Sequence, residues 1–372
     1  MRGAAISIEM SPLVEGQYTG IPEVAARLCE AALREIERGR DIQFFLEYKQ
    51  IPVRLVEELV DRRSGEILRW INANILLEPV SPVIRGRPCI GVFPNQKTVR
   101  SFFARETQII HDLSTLITPE FHHQDTINFH AAPFVSDAQT NDLSICVSQA
   151  TADDLTTYFG DDLIGDVTVC RLGANNLEFE MARARMVVPP PDKFVLVLGT
   201  IEPRKNIEFL LKAIQEHPKL LEKCTFLFVG RMGWGSVFPD LLRKYDLTSA
   251  VDSGRIVSLG FVDQGTKSLL ISLADCVVYP SLFEGFGLPI AEALAARTAI
   301  ITTNSSSLRE AGGDKAHYIS VNASSELAAA LEAATQAPRP HWPPQGLRSW
   351  ENFTDDVFDA LDRLARDTGM DE

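Results

Sequence analysis

The chain is poor in the features that mark membrane, metal and nucleic-acid proteins. No apolar run reaches the ~18 residues of a bilayer span. There are six cysteines, Cys29, Cys89, Cys146, Cys170, Cys224 and Cys276, and no two form a Cys-x-x-Cys pair. Several lie in apolar, strand-like runs, which reads as buried reduced thiols and not as disulfides or a zinc site. Basic residues are in deficit, 36 Lys and Arg against 50 Asp and Glu, for a formal charge of −14. Phosphate neutralisation needs a basic face, so nucleic acid is excluded as the main partner. Arg62-Arg63, Arg85 to Arg87 and Lys97 to Arg105 are the local exceptions and read as solvated surface. The Gly-x-Ser-x-Gly elbow, the Gly-x4-Gly-Lys-Ser/Thr loop and the His-Glu-x-x-His helix are missing, which removes esterase, P-loop ATPase and zinc-protease readings. Met1-Arg2-Gly3 leads into a short strand pattern, so no secretory signal is expected. The expected location is cytoplasmic, with peripheral contact at the inner membrane face left open.

What is present is an ordinary globular balance, 45% hydrophobic and 23% charged over 372 residues, enough for two domains with separate cores. Strand-like runs alternate with helical spacing, which predicts parallel sheets. In the first half strands are expected at 4–10, 42–45, 90–93, 106–110, 144–147 and 167–171. Helices are expected at 21–37, over 55–76 as a pair or one broken helix, and at 150–158. Residues 173–192 read as a linker ending in Pro189-Pro190-Pro191, which can continue neither a helix nor a central strand. A second, more regular half begins at Phe194, with strands at 194–198, 225–229, 255–259, 276–279 and 299–302 and a helix at 207–216. A final amphipathic helix is expected over 349–365. The domains expected are 1–185, 186–345 and a C-terminal helix, 346–372.

The most informative stretch is Pro280-Ser281-Leu282-Phe283-Glu284-Gly285-Phe286-Gly287-Leu288-Pro289-Ile290-Ala291-Glu292. An apolar strand pattern precedes it and an alanine-rich helix follows. Gly285 and Gly287 let a ligand approach the main chain closely, and Pro289 suits a first helical turn. Such a strand–loop–helix junction is where open α/β sheets bind ligands, and its N–H groups favour phosphates. Two carboxylates, Glu284 and Glu292, accept hydrogen bonds from hydroxyls and suit a polyol. A single Glu here would read as a helix-dipole partner; the whole string reads as a ligand site. Arg204 and Lys205, on a loop after the apolar strand, suit a diphosphate; alone they would be surface charges in a turn. His111, at a strand end before Asp112, is either a cleft residue or a structural His bonded to Asp112.

These residues resemble the Glu-x7-Glu signature of the retaining glycosyltransferases of group 1, or family 4, which have the GT-B fold. Leu198-Gly199-Thr200-Ile201-Glu202-Pro203-Arg204-Lys205-Asn206, Phe226 to Gly230, Leu259 to Val262, Thr302 to Ser307, Glu310 to Asp314 and Ser349-Trp350-Glu351 follow in the family's order. Ile110 to Leu113 and Val147 to Thr151 match in the first half. The resemblance implies an α/β fold of two Rossmann-like, doubly wound domains facing a cleft, with the last helix crossing back to the first domain. It implies a metal-independent hexosyltransferase without cofactor. Glu292 would hold the ribose, Arg204 and Lys205 the diphosphate, Glu284 with Phe286, Gly287 and Leu288 the sugar, and Val262 the neighbourhood of the base. His111 would touch the transferred sugar. Gly16, in Gly16-Gln17-Tyr18-Thr19-Gly20, would approach the donor from the first domain. Gly233-Trp234-Gly235 resembles mannosyltransferases, which implies GDP-mannose ahead of a UDP-sugar. The family's commonest acceptor is a glycan or lipid-linked glycan of a surface polysaccharide. An epimerase or hydrolase on the same scaffold, or a binding-only relative, are the other readings. Activity without an acceptor would mark the first, and nucleotide binding without transfer the second. The acidic pairs Asp153-Asp154, Asp161-Asp162 and Asp355-Asp356 read as solvated faces or caps, not metal ligands.

Overall fold

The computed structural model describes residues 3–16, 18, 20–62, 65–75, 77–174, 190–233, 238–340 and 347–370. Gln17, Thr19, most of the linker, Trp234, Gly235 and the expected boundaries at 185/186 and 345/346 lie outside them. By contacts the chain forms two units: residues 1–116, 125–172 and 350–372 in one, and 117–124 and 173–349 in the other.

Among the described residues the first unit carries a seven-stranded sheet of β1 (Ile6–Glu9), β2 (Ile42–Leu46), β3 (Lys49–Ile51), β6 (Ile90–Phe93), β7 (Arg105–Ile110), β8 (Leu143–Cys146) and β9 (Asp166–Val169), with a small separate hairpin of β4 (Val83–Ile84) and β5 (Arg87–Pro88) before β6. Their order is β3-β2-β1-β6-β7-β8-β9. All neighbours are parallel except β3, which runs antiparallel to β2 at the edge. The expected helical segment over 55–76 is two helices, Val53–Arg62 and Glu66–Asn74. They part at Gly65, where a Cβ would lie 1.9 Å from the Leu13 carbonyl oxygen, so no other residue fits without movement.

One reading of this unit needs correction. The Lys97–Arg105 stretch is not a solvated basic patch: Lys97 Nζ is buried and donates to Glu106 Oε2 at 2.8 Å, and Arg100 and Arg105 pair with Asp137 and Asp142. A buried ammonium is retained only with such partners. Also unforeseen is a sixteen-residue helix, Gln124–Gln139, with Pro133 inside it.

The last helix, Trp350–Asp367, packs on this unit through Phe353, Val357, Leu361 and Leu364, the spacing of one buried helical stripe. Arg40 Nη2 donates to Asp362 Oδ1 at 2.5 Å and the Ala4 N–H to the same oxygen at 2.9 Å, which ties the helix to the start of β1.

The second unit is a six-stranded, wholly parallel sheet: β10 (Phe194–Leu198), β11 (Thr225–Val229), β12 (Ile256–Gly260), β13 (Cys276–Tyr279), β14 (Ala299–Thr303) and β15 (His317–Ile319), ordered β12-β11-β10-β13-β14-β15. Both faces are covered. Val195 and Val197 pack with Leu210, Leu211 and Leu331 on one side; Phe194, Leu196 and Leu198 pack with Leu270, Ile290 and Leu294 on the other. Two-sided burial is why β10 reads as an unbroken apolar run and not as an alternating one. The strand order reverses between β10 and β13. In a doubly wound sheet this is the switch point, where loops diverge and leave a crevice. All six cysteines are buried free thiols. No helix among the described residues is long and apolar enough to cross a membrane.

Candidate functional site

The loops leaving β10 and β13 meet at this switch point. After β10 the chain turns at Gly199 (φ +120°) and forms a short 3-10 turn, Pro203–Lys205. A Cβ at Gly230, after β11, would come 1.9 Å from the Gly199 carbonyl oxygen, so the two loop starts are packed backbone to backbone. Asn206, in the left-handed conformation, hands the chain to the helix Ile207–Glu216. After β13 the glycine loop ends at Gly287 (φ +97°), and the helix Leu288–Ala295 starts with Pro289 in its first turn. That φ favours glycine at residue 287.

Glu284 is the centre of the cluster. Its Oε1 accepts from Lys205 Nζ (2.6 Å), the Tyr279 hydroxyl (2.8 Å) and the Ser281 hydroxyl. Its Oε2 accepts from Arg204 Nη1 at 3.0 Å. Arg204 also donates to the Phe283 carbonyl (3.0 Å) and to Glu202 Oε1 (3.1 Å), and Lys205 to the Tyr279 oxygen (2.7 Å). Burial alone would raise the Glu284 carboxyl. The charges of Arg204 and Lys205, with hydrogen bonds from Lys205 and Ser281, outweigh it and hold the group down at about 2. Burial draws the Lys205 ammonium down and raises the Tyr279 phenol. The cluster holds two cations and two carboxylates, so its formal charge is zero. Reading Arg204 and Lys205 as bare positive charge left out Glu202 and Glu284.

The glycine loop is held from the other side by a row of hydroxyls. Thr302 donates to the Tyr279 carbonyl (2.7 Å), Thr303 to that of Ser281 (2.5 Å), Ser305 to that of Leu282, and Ser306 and Ser307 to that of Glu284 (2.6 and 2.8 Å). This gives the Thr302–Ser307 segment a physical role: it satisfies the carbonyls of an irregular, buried loop.

Glu292 lies within the helix Leu288–Ala295. Its Oε1 accepts from Lys267 Nζ at 2.6 Å and Gln264 Nε2 at 3.4 Å, both from the helix Gln264–Leu273. Its Oε2 is buried and has no hydrogen-bond partner among the described residues. A buried carboxylate oxygen left unpaired is costly, and a native structure that keeps one calls for an explanation. Lys267 was not foreseen. Its role has a test: Lys267→Met should raise the Kd for nucleoside diphosphate about tenfold, Lys267→Arg should restore most of it, and calorimetric titration reads both. Equal affinity in wild type and Lys267→Met would leave the pair a surface contact.

Phe286 is buried, and Val262 packs against the core cluster on the same face as Ile290. In the first unit, His111 follows β7. Its Nε2 lies 2.7 Å from the Pro94 carbonyl, which can only accept, so Nε2 carries the hydrogen. Burial pulls the imidazole below its ordinary value, against the Pro94 carbonyl and Asp112. The partner named from sequence was Asp112; instead Asp112 accepts from the Ser114 N–H and hydroxyl (2.9 and 2.6 Å). Gly16 lies in the loop after β1, beside Arg69.

Residues 178–340 match the model of the family "Glycosyl transferases group 1". The chain is 27% identical over 275 residues to the O-antigen chain mannosyltransferase B of Escherichia coli, covering 70% of this chain and 71% of that one. It is 34% identical over 149 residues, 38% of this chain and 36% of the other, to the phosphatidyl-myo-inositol mannosyltransferase of Mycolicibacterium smegmatis. Among solved structures, Anabaena HepE in complex with UDP and glucose superposes with a TM-score of 0.64 at 16% identity, covering 97% of this chain and 100% of that one. The sucrose-phosphate synthase of Thermosynechococcus elongatus gives 0.61 at 17%, covering 98% and 97%. With the Glu-x7-Glu string, the switch-point cluster and two doubly wound sheets of the GT-B type in place, residues 178–340 match the group 1 glycosyltransferases and the whole chain shares the fold of the two solved structures.

Proposed function

We propose that this glycosyltransferase moves a hexose, mannose before others, from a nucleoside diphosphate to a hydroxyl of a glycan or lipid-linked glycan in surface-polysaccharide synthesis. The observation that carries the donor site is the buried Oε2 of Glu292 beside the glycine loop, which has no hydrogen-bond partner among the described residues. It is an acceptor placed for a ribose hydroxyl. Arg204 and Lys205 hold the diphosphate, and Arg204 exchanges its bond to Glu202, the more exposed of its two carboxylates, for phosphate oxygens. Glu284 fixes both cations, and its Oε2, which accepts one bond where a carboxylate oxygen can take two, receives a sugar hydroxyl. The backbone of Phe286, Gly287 and Leu288 at the helix start faces the sugar. The base lies beside Gly260 to Val262. As charge builds on the departing diphosphate, preorganised donors stabilise it without reorganising.

Mannose is supported by the two mannosyltransferase relatives, while the UDP in the HepE complex supports the other base. A thermal-shift screen against GDP, UDP, ADP and their sugar conjugates decides. The correct ligand at a hundred times its Kd stabilises by about 2.7 kcal/mol; no shift with any would overturn the donor site.

In this reading the leaving group is served by the side-chain cations Arg204 and Lys205. Transfer should therefore keep its rate within about twofold in excess EDTA, against the ~10²-fold loss expected when a charge-stabilising group is removed. Abolition by chelator and recovery with magnesium or manganese would contradict this.

A further inference from the structure

Tyr279 ends β13, where the sheet hands the chain to the glycine loop, and it is 3% exposed. Its hydroxyl bridges two charges of the switch-point cluster: it accepts from Lys205 Nζ at 2.7 Å and donates to Glu284 Oε1 at 2.8 Å. We propose that Tyr279 is a positioning residue of the donor site, whose hydroxyl keeps the Lys205 ammonium charged and fixed so that its remaining N–H meets the diphosphate. The proposal rests on the donor-site reading above and adds to it the group that sets the lysine.

The direction of each bond follows from the chemistry of the three groups. An ammonium has three donors and no acceptor, and an ionised carboxylate only accepts. The single hydrogen of the phenol therefore goes to Glu284, and a lone pair takes the lysine. Burial, with the Glu284 charge adding to it, lifts the phenol well above its ordinary value, which keeps that hydrogen in place. Nζ places one N–H on Tyr279 and one on Glu284 Oε1 at 2.6 Å. The third has no partner among the described residues and is the one left for a phosphate oxygen. Glu284 Oε1 also accepts from Ser281, so it does not depend on Tyr279 for a donor. What Tyr279 supplies is a second acceptor for the buried ammonium.

The phenol is the fixed partner and the lysine the one that follows. Tyr279 pairs with Thr302 across β13 and β14, and the Thr302 hydroxyl donates to its carbonyl at 2.7 Å. A Cβ at Gly199 would stand 3.8 Å from the Tyr279 ring and 3.5 Å from Lys205 Cε, so ring and lysine stem lie against the same backbone. Nζ comes to 5.0 Å from the ring centroid. A four-carbon stem has many rotamers; the hydroxyl selects among them.

The charged groups that face Nζ are Glu284 from the glycine loop and Arg204 and Glu202 from the loop after β10. Burial draws the ammonium below its ordinary value, Glu284 opposes this, Arg204 adds to it, and Glu202 opposes it. A hydrogen bond to the charged form favours that form. Without the Tyr279 oxygen, burial and Arg204 pull the lysine lower still. The lysine is charged at low pH and loses its charge as pH rises through its folded value. Affinity for a diphosphate falls over the same window, and removing the oxygen moves that window to lower pH.

The test uses the full chain with lysine labelled at ¹³Cε, titrated by NMR between about pH 6 and 11, with Lys205→Met to identify the Lys205 signal. Calorimetry measures GDP and UDP affinity over the same range. Tyr279→Phe keeps the ring and removes only the oxygen. The Lys205 midpoint should fall by about one pH unit, a tenfold change, and the alkaline loss of nucleotide affinity should begin earlier by the same amount. 3-Fluorotyrosine in place of Tyr279 keeps the hydroxyl and the packing but is a weaker acceptor. It should move the midpoint the same way by less, and it serves if Tyr279→Phe does not fold. The proposal is overturned if the midpoint stays within about 0.2 pH units of wild type. It is overturned equally if Tyr279→Phe weakens nucleotide binding by the same factor at every pH, as a packing defect would. A midpoint that moves while the wild type binds neither GDP nor UDP overturns the donor reading, and with it the role in the donor site, but leaves the coupling of Tyr279 to Lys205 standing.

Discussion

Replacing Glu284 by alanine should lower the melting temperature by on the order of 10 °C. The substitution leaves Arg204 and the buried Lys205 beside each other without their shared carboxylate. Removing one partner of a buried ionic cluster costs about 3–5 kcal/mol, because the remaining charge stays desolvated. In a unit of this size that is several degrees per one or two kcal/mol. Acid sensitivity should move with it. Glu284 titrates at about 2 when folded and from 4.5 as a free group. A depressed carboxyl contributes stability that is complete above the unfolded value and is lost as pH falls from about 4.5 toward 2. Glu284→Gln should therefore flatten that limb of the stability curve. Scanning calorimetry between pH 2 and 7 reads both. A variant that melts within about 2 °C of wild type would show that the cluster is solvated and not a buried anchor.

Arg204→Lys keeps the charge and should still lose transfer by about 10²-fold or more. The guanidinium spans three acceptors, Phe283 O, Glu284 Oε2 and Glu202 Oε1. An ammonium is a point donor and cannot hold that fork. The loop from Glu202 to Lys205 would keep its link to the glycine loop through Lys205 and the Leu282 N–H but lose the guanidinium fork, and the donors proposed for the diphosphate would no longer be set before reaction. Initial rates with saturating donor measure this. A rate within threefold of wild type would mean that charge at residue 204 suffices and its geometry does not matter.

Much of the second unit was legible because its chemistry is local. Runs such as Phe194–Leu198, Thr225–Val229 and Cys276–Tyr279 are apolar and β-branched or aromatic, and a strand buried on both faces needs nothing else. The helix Gln124–Gln139 was not legible: His, Asn and an internal Pro leave no clear apolar stripe, and its packing decides its state. The edge strand Lys49–Ile51 is short and polar and exists through its pairing with β2. At the site, the Glu-x7-Glu string and the Arg-Lys pair could be read directly. Their mutual neutralisation could not, because Arg204 and Glu284 are eighty residues apart and meet only through the β10–β13 pairing. Tyr279, Ser281 and Lys267 belong to the same class of contact. Each looks ordinary in its own segment and acquires a role from a neighbour the fold supplies.

The donor-site account turns on Glu292 Oε2 as the ribose acceptor, and one pair of titrations tests it. Calorimetry would compare a nucleoside diphosphate with its 2′,3′-dideoxy form, against wild type and Glu292→Gln. The wild type should bind the ribose form at least about tenfold more tightly, a difference of about 1.4 kcal/mol, and the variant should bind both nearly alike. An undiminished preference for ribose in Glu292→Gln would contradict the account.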